Sequence, residues 1–362
     1  MTEPIILAID TSCDETSAAV TTGRQVLSNV ISSQINLHKK YGGVYPALAK
    51  RAHLERIDHV IAEALKRARA NLNHQEPAAV AVTYGPGLAI ALEVGLAKAK
   101  ELSANYRLPL IAVNHMEGHI YSCLAQNRSG RPQREVIFPA LCLLVSGGHT
   151  ELVLMKDHGR YQVLGETLDD AVGEALDKAA RILRLGYPGG PIIERLTEQA
   201  LPSSKFKVQS FDKAQDKSVK FLLTPPLRER GNLNFSYSGL KTQFLYLVQK
   251  MSETELGQNL ADLAAAFQEA AFEQLIRKTS DAIEIHQPKT LLCGGGVIAN
   301  RYLRTLLRRL AKENQLPVFF PPAKNLIGDN AAMIGVAAGY KFQRKEFVEN
   351  LETLDREPRL SL

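Results

Sequence analysis

Two histidines stand four residues apart in the stretch Val113-Asn114-His115-Met116-Glu117-Gly118-His119, with an acid between them. Four residues is about one helical turn, so on a helix His115 and His119 share a face and can bind one metal ion together. A helix start fits here: Asn114 follows an apolar strand and can cap, and Glu117 falls at the capping-box position. Spacing alone leaves three readings open: a metal site, a zinc-protease motif, or an ordinary helix start that carries histidines. The protease motif needs the acid directly after the first histidine, and Met116 occupies that place. A third ligand would strengthen the first reading, and Asp329 in Ile327-Gly328-Asp329-Asn330-Ala331-Ala332-Met333 is the candidate. An Asp ahead of an apolar helix is also an ordinary N-cap. Two imidazoles and one carboxylate with open positions suit Fe(II) or Zn(II).

Three glycine clusters suggest a ligand that approaches backbone closely. Ser146-Gly147-Gly148-His149-Thr150 joins two strands, Gly294-Gly295-Gly296 lies between a strand and a helix, and Tyr187-Pro188-Gly189-Gly190-Pro191 forms a loop after a helix. Tight turns need glycine anyway, and none of the three matches a phosphate loop or a dinucleotide fingerprint. Occurring in two similarly built halves, they point to a nucleotide held between domains. Asp169, Asp170, Glu174 and Asp177 crowd one helix beside the second turn, with Glu174 and Asp177 on one face. One of them can accept ribose hydroxyls, or the group is a solvated acidic face.

The elements that must position these residues recur. Ile5–Asp10 reads as a strand, Thr11–Glu15 as a polar turn, and Thr16–Thr22 and Gln25–Ser33 as strands. A helix over Pro46–Ala70 follows, with Leu54, Ile57, Val60, Ile61, Ala64 and Leu65 at helical spacing. Strand Ala79–Thr83, a helix to Asn105, strand Leu110–Val113 and the histidine helix complete the half. The second half starts alike: strand Leu141–Val145, turn, strands Glu151–Met155 and Tyr161–Gly165, then a helix over Asp170–Arg184. Helices over Leu240–Gln249 and Leu256–Ile285, strand Thr290–Cys293, a helix over Ala299–Glu313, strand Val318–Phe320 and a helix from Asp329 follow. This predicts an α/β chain of two related domains with a cleft between them: residues 1–138, residues 139–330 with a surface insertion at about 203–231, and a final helix and tail, 331–362, packing back on the first domain.

Composition agrees with a globular chain of more than one core. It has 362 residues, 45% hydrophobic and 23% charged, too long for a single compact core of ordinary size. No signal peptide and no membrane-length apolar run is visible. Cys13, Cys123, Cys142 and Cys293 are scattered, which argues against a cysteine-based zinc site and for a reducing cytoplasm. Net charge is +6, compatible with a polyanionic partner.

Seven segments in order, LAIDTSCDETSAAV, NHMEGHIYS, LLVSGGHTELV, DDAVGEALDKAARILRLGYPGGP, NFSYSGLKT, CGGGVIANRYLR and GDNAAMIG, resemble the tRNA adenosine threonylcarbamoyltransferase family, once labelled glycoprotease. The resemblance runs from Ile5 to about Tyr340. It implies an actin-like fold of the sugar kinase and Hsp70 class, with two ribonuclease-H-like domains. It implies transfer of threonylcarbamoyl from threonylcarbamoyl-AMP to N6 of adenosine 37 in tRNAs reading A-starting codons, with release of AMP. By the family motif, His115, His119 and Asp329 hold one divalent metal, Fe(2+) in preference to Zn(2+). Leu144, Val145, Ser146, Gly147, Gly148, Asp177, Gly190 and Asn300 bind the adenylate, and Glu194 is a weaker candidate. The partners it implies are tRNA, TsaB and TsaE, with no membrane. Two departures stand out: Ile327-Gly328 replaces the family's usual Cys-x before the Asp, and the insertion is long. The alternatives are a metallopeptidase and an actin-like ATPase or small-molecule kinase. No general base is assigned.

Overall fold

A computed structural model describes residues 3–71, 75–200 and 220–362. The first sheet is built from β1 (Ile5–Asp10), β2 (Glu15–Thr22), β3 (Gln25–Ser33), β4 (Ala79–Gly85) and β5 (Leu110–Asn114), in the order β3-β2-β1-β4-β5. The second contains β6 (Ala140–Val145), β7 (Thr150–Asp157), β8 (Arg160–Glu166), β9 (Thr290–Gly294) and β10 (Val318–Phe319), in the order β10-β9-β6-β7-β8. Renumbering the second sheet by its own strands gives the same order, and the directions match. β1 pairs antiparallel with β2 and parallel with β4, as β6 does with β7 and β9.

The central strands explain how three layers form. Every residue of β1 and of β6 is buried, as expected for strands covered on both faces. Successive side chains point to opposite faces. Ile5, Leu7 and Ile9 join an outer core with α2 (Pro46–Ala68) and α3 (Ala89–Tyr106), which follow a single helical turn, α1 (Ile35–His38). Ile6 and Ala8 enter a middle layer instead. In β6, Leu141, Leu143 and Val145 face the second outer core, and Ala140, Cys142 and Leu144 face the middle. That second outer core is covered by α5 (Val172–Ile182), α6 (Gly189–Ala200), α7 (Ser238–Gln249), α8 (Glu253–His286) and α9 (Arg301–Glu313). The middle layer holds α4 (His115–Ser122) and α10 (Ala331–Gln343), through Met116, Ile120, Met333, Ile334 and Ala337. Burial of each such Ile, Leu or Met contributes roughly 1.5–3 kcal/mol.

Several expectations about elements are corrected. Leu54 is 57% exposed, and the buried stripe of α2 runs through Ala49, Ala52, His53, Ile57, Val60, Ile61, Ala64 and Ala68. The loop expected at Tyr187–Pro191 is the start of α6 from Gly189 onward. α5 begins at Val172, so Asp169 and Asp170 precede it. The helix expected from Ala299 begins at Arg301, after a short 3-10 turn. The expected insertion at 203–231 lies outside the described residues up to 219. From 220 on it is not simply surface: Leu223 is buried in the second outer core, as is Leu233 just beyond the expected bound, and Gln243 of α7 exchanges hydrogen bonds with Thr224. Among the described residues, no helix is long and apolar enough to cross a membrane.

Candidate active site

α4 starts where β5 ends, because Asn114 turns the chain and caps it. Its side-chain oxygen accepts from the amides of Met116 at 2.8 Å and Glu117 at 3.4 Å. The capping box expected of Glu117 is absent. Its carboxylate accepts from Tyr161 Oη at 2.9 Å and lies 3.5 Å from Lys341 Nζ, a contact made by residues distant in sequence. With Glu117 turned to that side, His115 and His119 project from the other, and their rings meet edge to face at 4.7 Å.

Asp329 reaches them because α4 and α10 cross closely at Gly118. A Cβ there would stand 2.8 Å from Ile334 Cδ1 and 3.1 Å from Met333 Cγ. Asn330, not Asp329, caps α10, accepting from the amide of Met333 at 3.2 Å. The carboxylate of Asp329 is thereby left free of capping. Its Oδ1 lies 3.3 Å from Nε2 of both His115 and His119, and the three donor groups lie within 4.8 Å of one another. His119 is wholly buried, yet neither ring nitrogen makes an aligned hydrogen bond. Donors bound at about 2.1 Å to one tetrahedral ion would stand roughly 3.4 Å apart, so these residues fit a divalent metal.

The electrostatics of the bare cluster follow from burial and pairing. Burial alone would raise the Asp329 carboxyl, but the His115 charge and contact with both rings hold it well below the usual range. Burial pulls His115 down, and the Asp329 charge with Asp10 more than reverses this. His119 falls because burial dominates there. Asp10, fully buried at the end of β1, places Oδ1 3.7 Å from His115 Nδ1. Sequence reasoning missed it; the signal available was an acid closing a wholly apolar strand.

The cluster opens into a cleft of about 630 Å³ between the two sheets' hairpin turns. Ser12, Cys13 and Asp14 come from the β1–β2 turn, and Ser146, Gly147, Gly148 and His149 from the β6–β7 turn. Glu174, Asp177, Lys178 and Arg181 of α5 and the Tyr187 ring complete one wall. His149, also unforeseen, is pushed down to about 4 by burial and then by the charges of His115 and His119.

The glycine clusters separate by cause. Gly294 and Gly295 are required by packing: a Cβ would stand 2.4 Å from the His119 carbonyl oxygen at the first and 2.3 Å from that of Val145 at the second, where φ is +94°. Only Gly296 of that cluster lines the cleft. Gly147 and Gly148 meet nothing within 4 Å and have no left-handed φ. Nothing inside the chain requires glycine at either position. The Gly148 and His149 amides donate to Ser146 Oγ at 3.3 and 3.0 Å.

Of the other expected binding residues, Asp177 lines the cleft and the rest do not. Leu144 and Val145 are fully buried in β6. Asp177 Oδ1 accepts from the amides of Gly189 at 2.6 Å and Gly190 at 3.3 Å. Burial raises its carboxyl despite those bonds. Asn300 is 6% exposed; it caps α9 through Leu303 and donates to Gln268 Oε1 at 2.8 Å. Glu194 accepts from the Arg301 amide at 2.7 Å. The acidic face expected of Asp169 and Asp170 is internal bonding: Asp169 accepts from the Tyr237 amide at 2.7 Å, and Asp170 pairs with Lys178 and Lys241.

A family model described as TsaD, tRNA N6-adenosine threonylcarbamoyltransferase, matches residues 25–336. A protein of that name from Gloeothece citriformis (strain PCC 7424) is 45% identical over 342 residues, covering 94% of this chain and 93% of the relative. One from Bacillus subtilis (strain 168) is 43% identical over 343 residues, covering 94% and 91%. Among solved structures, HypF from T. kodakarensis superposes with a TM-score of 0.58 at 12% identity, over 97% of this chain and 49% of its own. Full-length HypF in a phosphate- and nucleotide-bound form gives 0.54 at 15% identity, over 96% and 57%. At such identity these structures speak to fold alone, and the fold is actin-like. The matches favour neither a metallopeptidase nor a small-molecule kinase.

Proposed function

The chain belongs to the tRNA N6-adenosine threonylcarbamoyltransferase family, a transferase that forms t6A, and from that premise we propose how its cleft performs the transfer. The donor is threonylcarbamoyl-AMP, the acceptor is N6 of adenosine 37 in tRNAs reading A-starting codons, and AMP is released. His115, His119 and Asp329 hold one divalent metal, Fe(2+) in preference to Zn(2+). The observation that carries this reading is the buried three-donor cluster opening into the cleft beside Gly147 and Gly148. When bound, the metal supplies polarisation of the carbamoyl carbonyl or neutralisation of charge at the adenylate phosphate.

The chain's own residues do the rest. Asp10, 3.7 Å from the unbonded His115 Nδ1, stands where it can orient that ring, as outer carboxylates do for metal-bound imidazoles. The open surface over Gly147 and Gly148 admits the adenylate, whose phosphate can compete with Ser146 Oγ for the long Gly148 bond. Asp177 uses Oδ1 to order the start of α6 and turns Oδ2 to the ribose hydroxyls. Leu144, Val145, Gly190 and Asn300 shape this wall from behind. The exocyclic amine is a poor nucleophile, so positioning against an activated carbonyl supplies most of the rate. The protein works in the cytoplasm with TsaB and TsaE.

The test supplies the purified chain with TsaB, TsaE, threonylcarbamoyl-AMP and unmodified tRNA, then resolves the digested nucleosides by mass spectrometry. Threonylcarbamoyladenosine at position 37 is the expected product. Its absence, with a relative active in the same mixture, overturns the reading.

A further inference from the structure

The cleft must receive a base from a polyanionic chain far larger than itself, so its rim should carry chemistry for RNA. One stretch does. Gly42, Gly43 and Val44 line the cleft together with His115 and Asp329, and a tyrosine stands on each side of them. Tyr41 and Tyr45 are 53% and 52% exposed. Their rings stack on each other at 5.3 Å with an interplanar angle of 27°. Lys40 Nζ lies 5.0 Å over the Tyr41 ring. Lys39 and Lys40 are exposed and have no carboxylate partner among the described residues.

The platform is held in place from beneath. The Tyr45 amide donates to His38 Nδ1 at 3.2 Å, and His38 Nε2 meets Gln34 Oε1 at 3.1 Å. Arg181 Nη2, from α5 across the cleft, donates to the Gly42 carbonyl at 2.6 Å. Gly42 supports the tight turn with a φ of +68°. Exposed aromatic side chains normally occur singly and need no explanation. A stacked, preordered pair beside two free lysines, at the mouth of the catalytic cleft, calls for one.

We propose that Tyr41 and Tyr45, with Lys39 and Lys40, form a docking platform for the single-stranded anticodon loop of the tRNA substrate. This rests on the function proposed above. Loop bases splayed out of a helix stack on aromatic faces, and lysines beside them meet the phosphates. The loop nucleotides flanking the target stack on the tyrosines while the target adenine enters the cleft past Gly42–Val44. Nothing in this recognition depends on base identity, so the platform contributes affinity and placement. Sequence choice is made elsewhere.

The experiment uses the complete assembly with TsaB and TsaE and a fluorescent anticodon stem-loop RNA. Tyr41→Ala/Tyr45→Ala should weaken stem-loop binding about tenfold or more, the effect of losing base–aromatic stacking, and raise the RNA KM while leaving metal content unchanged. Tyr41→Phe/Tyr45→Phe should recover most of the affinity, because the ring faces remain. Lys39→Ala/Lys40→Ala should lower the slope of log affinity against log salt by about 1.4, two single-strand phosphate contacts. Tyr106→Ala, an exposed tyrosine at the far end of α3 from the cleft, serves as the matched control. Unchanged RNA affinity in the double alanine variant overturns the proposal. So does failure of that variant to assemble with TsaB or TsaE, which would make the tyrosines a protein contact. A wild-type assembly that binds the stem-loop but forms no threonylcarbamoyladenosine would instead count against the proposed function.

Discussion

The two sheets share one strand order, yet the matching hairpin turns carry opposite chemistry. The β1–β2 turn brings Asp14 to the cleft that His115 and Asp329 also line, and it follows the buried Asp10. The β6–β7 turn presents Ser146, Gly147 and Gly148, uncharged and open to the cleft. Each second strand also carries an acid near its start: Glu15 stands opposite Ser33, whose hydroxyl donates to it at 3.0 Å, and Glu151 stands opposite Glu166. A duplicated scaffold thus offers two matching turns across one cleft, one acidic and one uncharged and glycine-rich, and the function proposed above assigns the first side to a cation and the second to an anionic ligand.

The largest effects should come from the cation side. Replacing His115 or His119 by Ala should remove most bound metal and cut transfer by about a thousandfold or more, since metal activation supplies several kcal/mol. Asp10→Asn should cost roughly 10–100-fold in metal affinity. Metal analysis beside single-turnover kinetics reads both. Full occupancy in the His115→Ala/His119→Ala double variant would refute the assignment.

Glycine substitutions on the anion side sharpen the contrast between ligand and packing. Gly148→Val should weaken binding of an AMP-type ligand while changing stability by about 0.5 kcal/mol or less, because the site is open. Gly295→Ala should destabilise by on the order of 2 kcal/mol or more, from the left-handed backbone and the Val145 carbonyl. Calorimetric titration and denaturant melts distinguish them. Equal loss of stability in both would erase the distinction.

A smaller effect tests the Glu151–Glu166 pair. Burial, then the charge of Glu166, pushes the Glu151 carboxyl up to about 7. The folded state therefore favours protonated Glu151. The resulting stability is present below the unfolded value of about 4.3 and is lost as pH rises through about 7. Glu151→Gln should match the wild type near pH 4 and be more stable at pH 8, by roughly 1 kcal/mol. Thermal melts at the two pH values measure this, and a gain of equal size at both would exclude titration as its source.

Much of this was legible in the sequence because it is local. Apolar runs such as Ile5–Asp10 and Leu141–Val145 announce buried strands, and the spacing of His115 and His119 announces a shared helix face. What was misread depends on partners distant in the chain. Glu117 fits a capping box by position, but Tyr161 and Lys341 claim its carboxylate. Asp329 and Asn330 are both good caps by type, and only the fold shows that Asn330 takes the role. Gly294-Gly295-Gly296 and Gly147-Gly148 look alike as letters. They differ in whether another backbone lies against them.

The last helix also sets an order on synthesis. α10 packs against β1, β2 and β3, the first strands made, and its Ala and Gly residues fit closely there, with Gly335 against Thr21 and Ala8. The opening sheet therefore emerges from the ribosome with one apolar face bare, and it stays bare until residues 331–343 arrive. Chains grow at about 5–20 residues per second, so this exposure lasts many seconds in every round of translation. The first half cannot finish folding before the second has been made, and the histidine helix waits with it for Asp329.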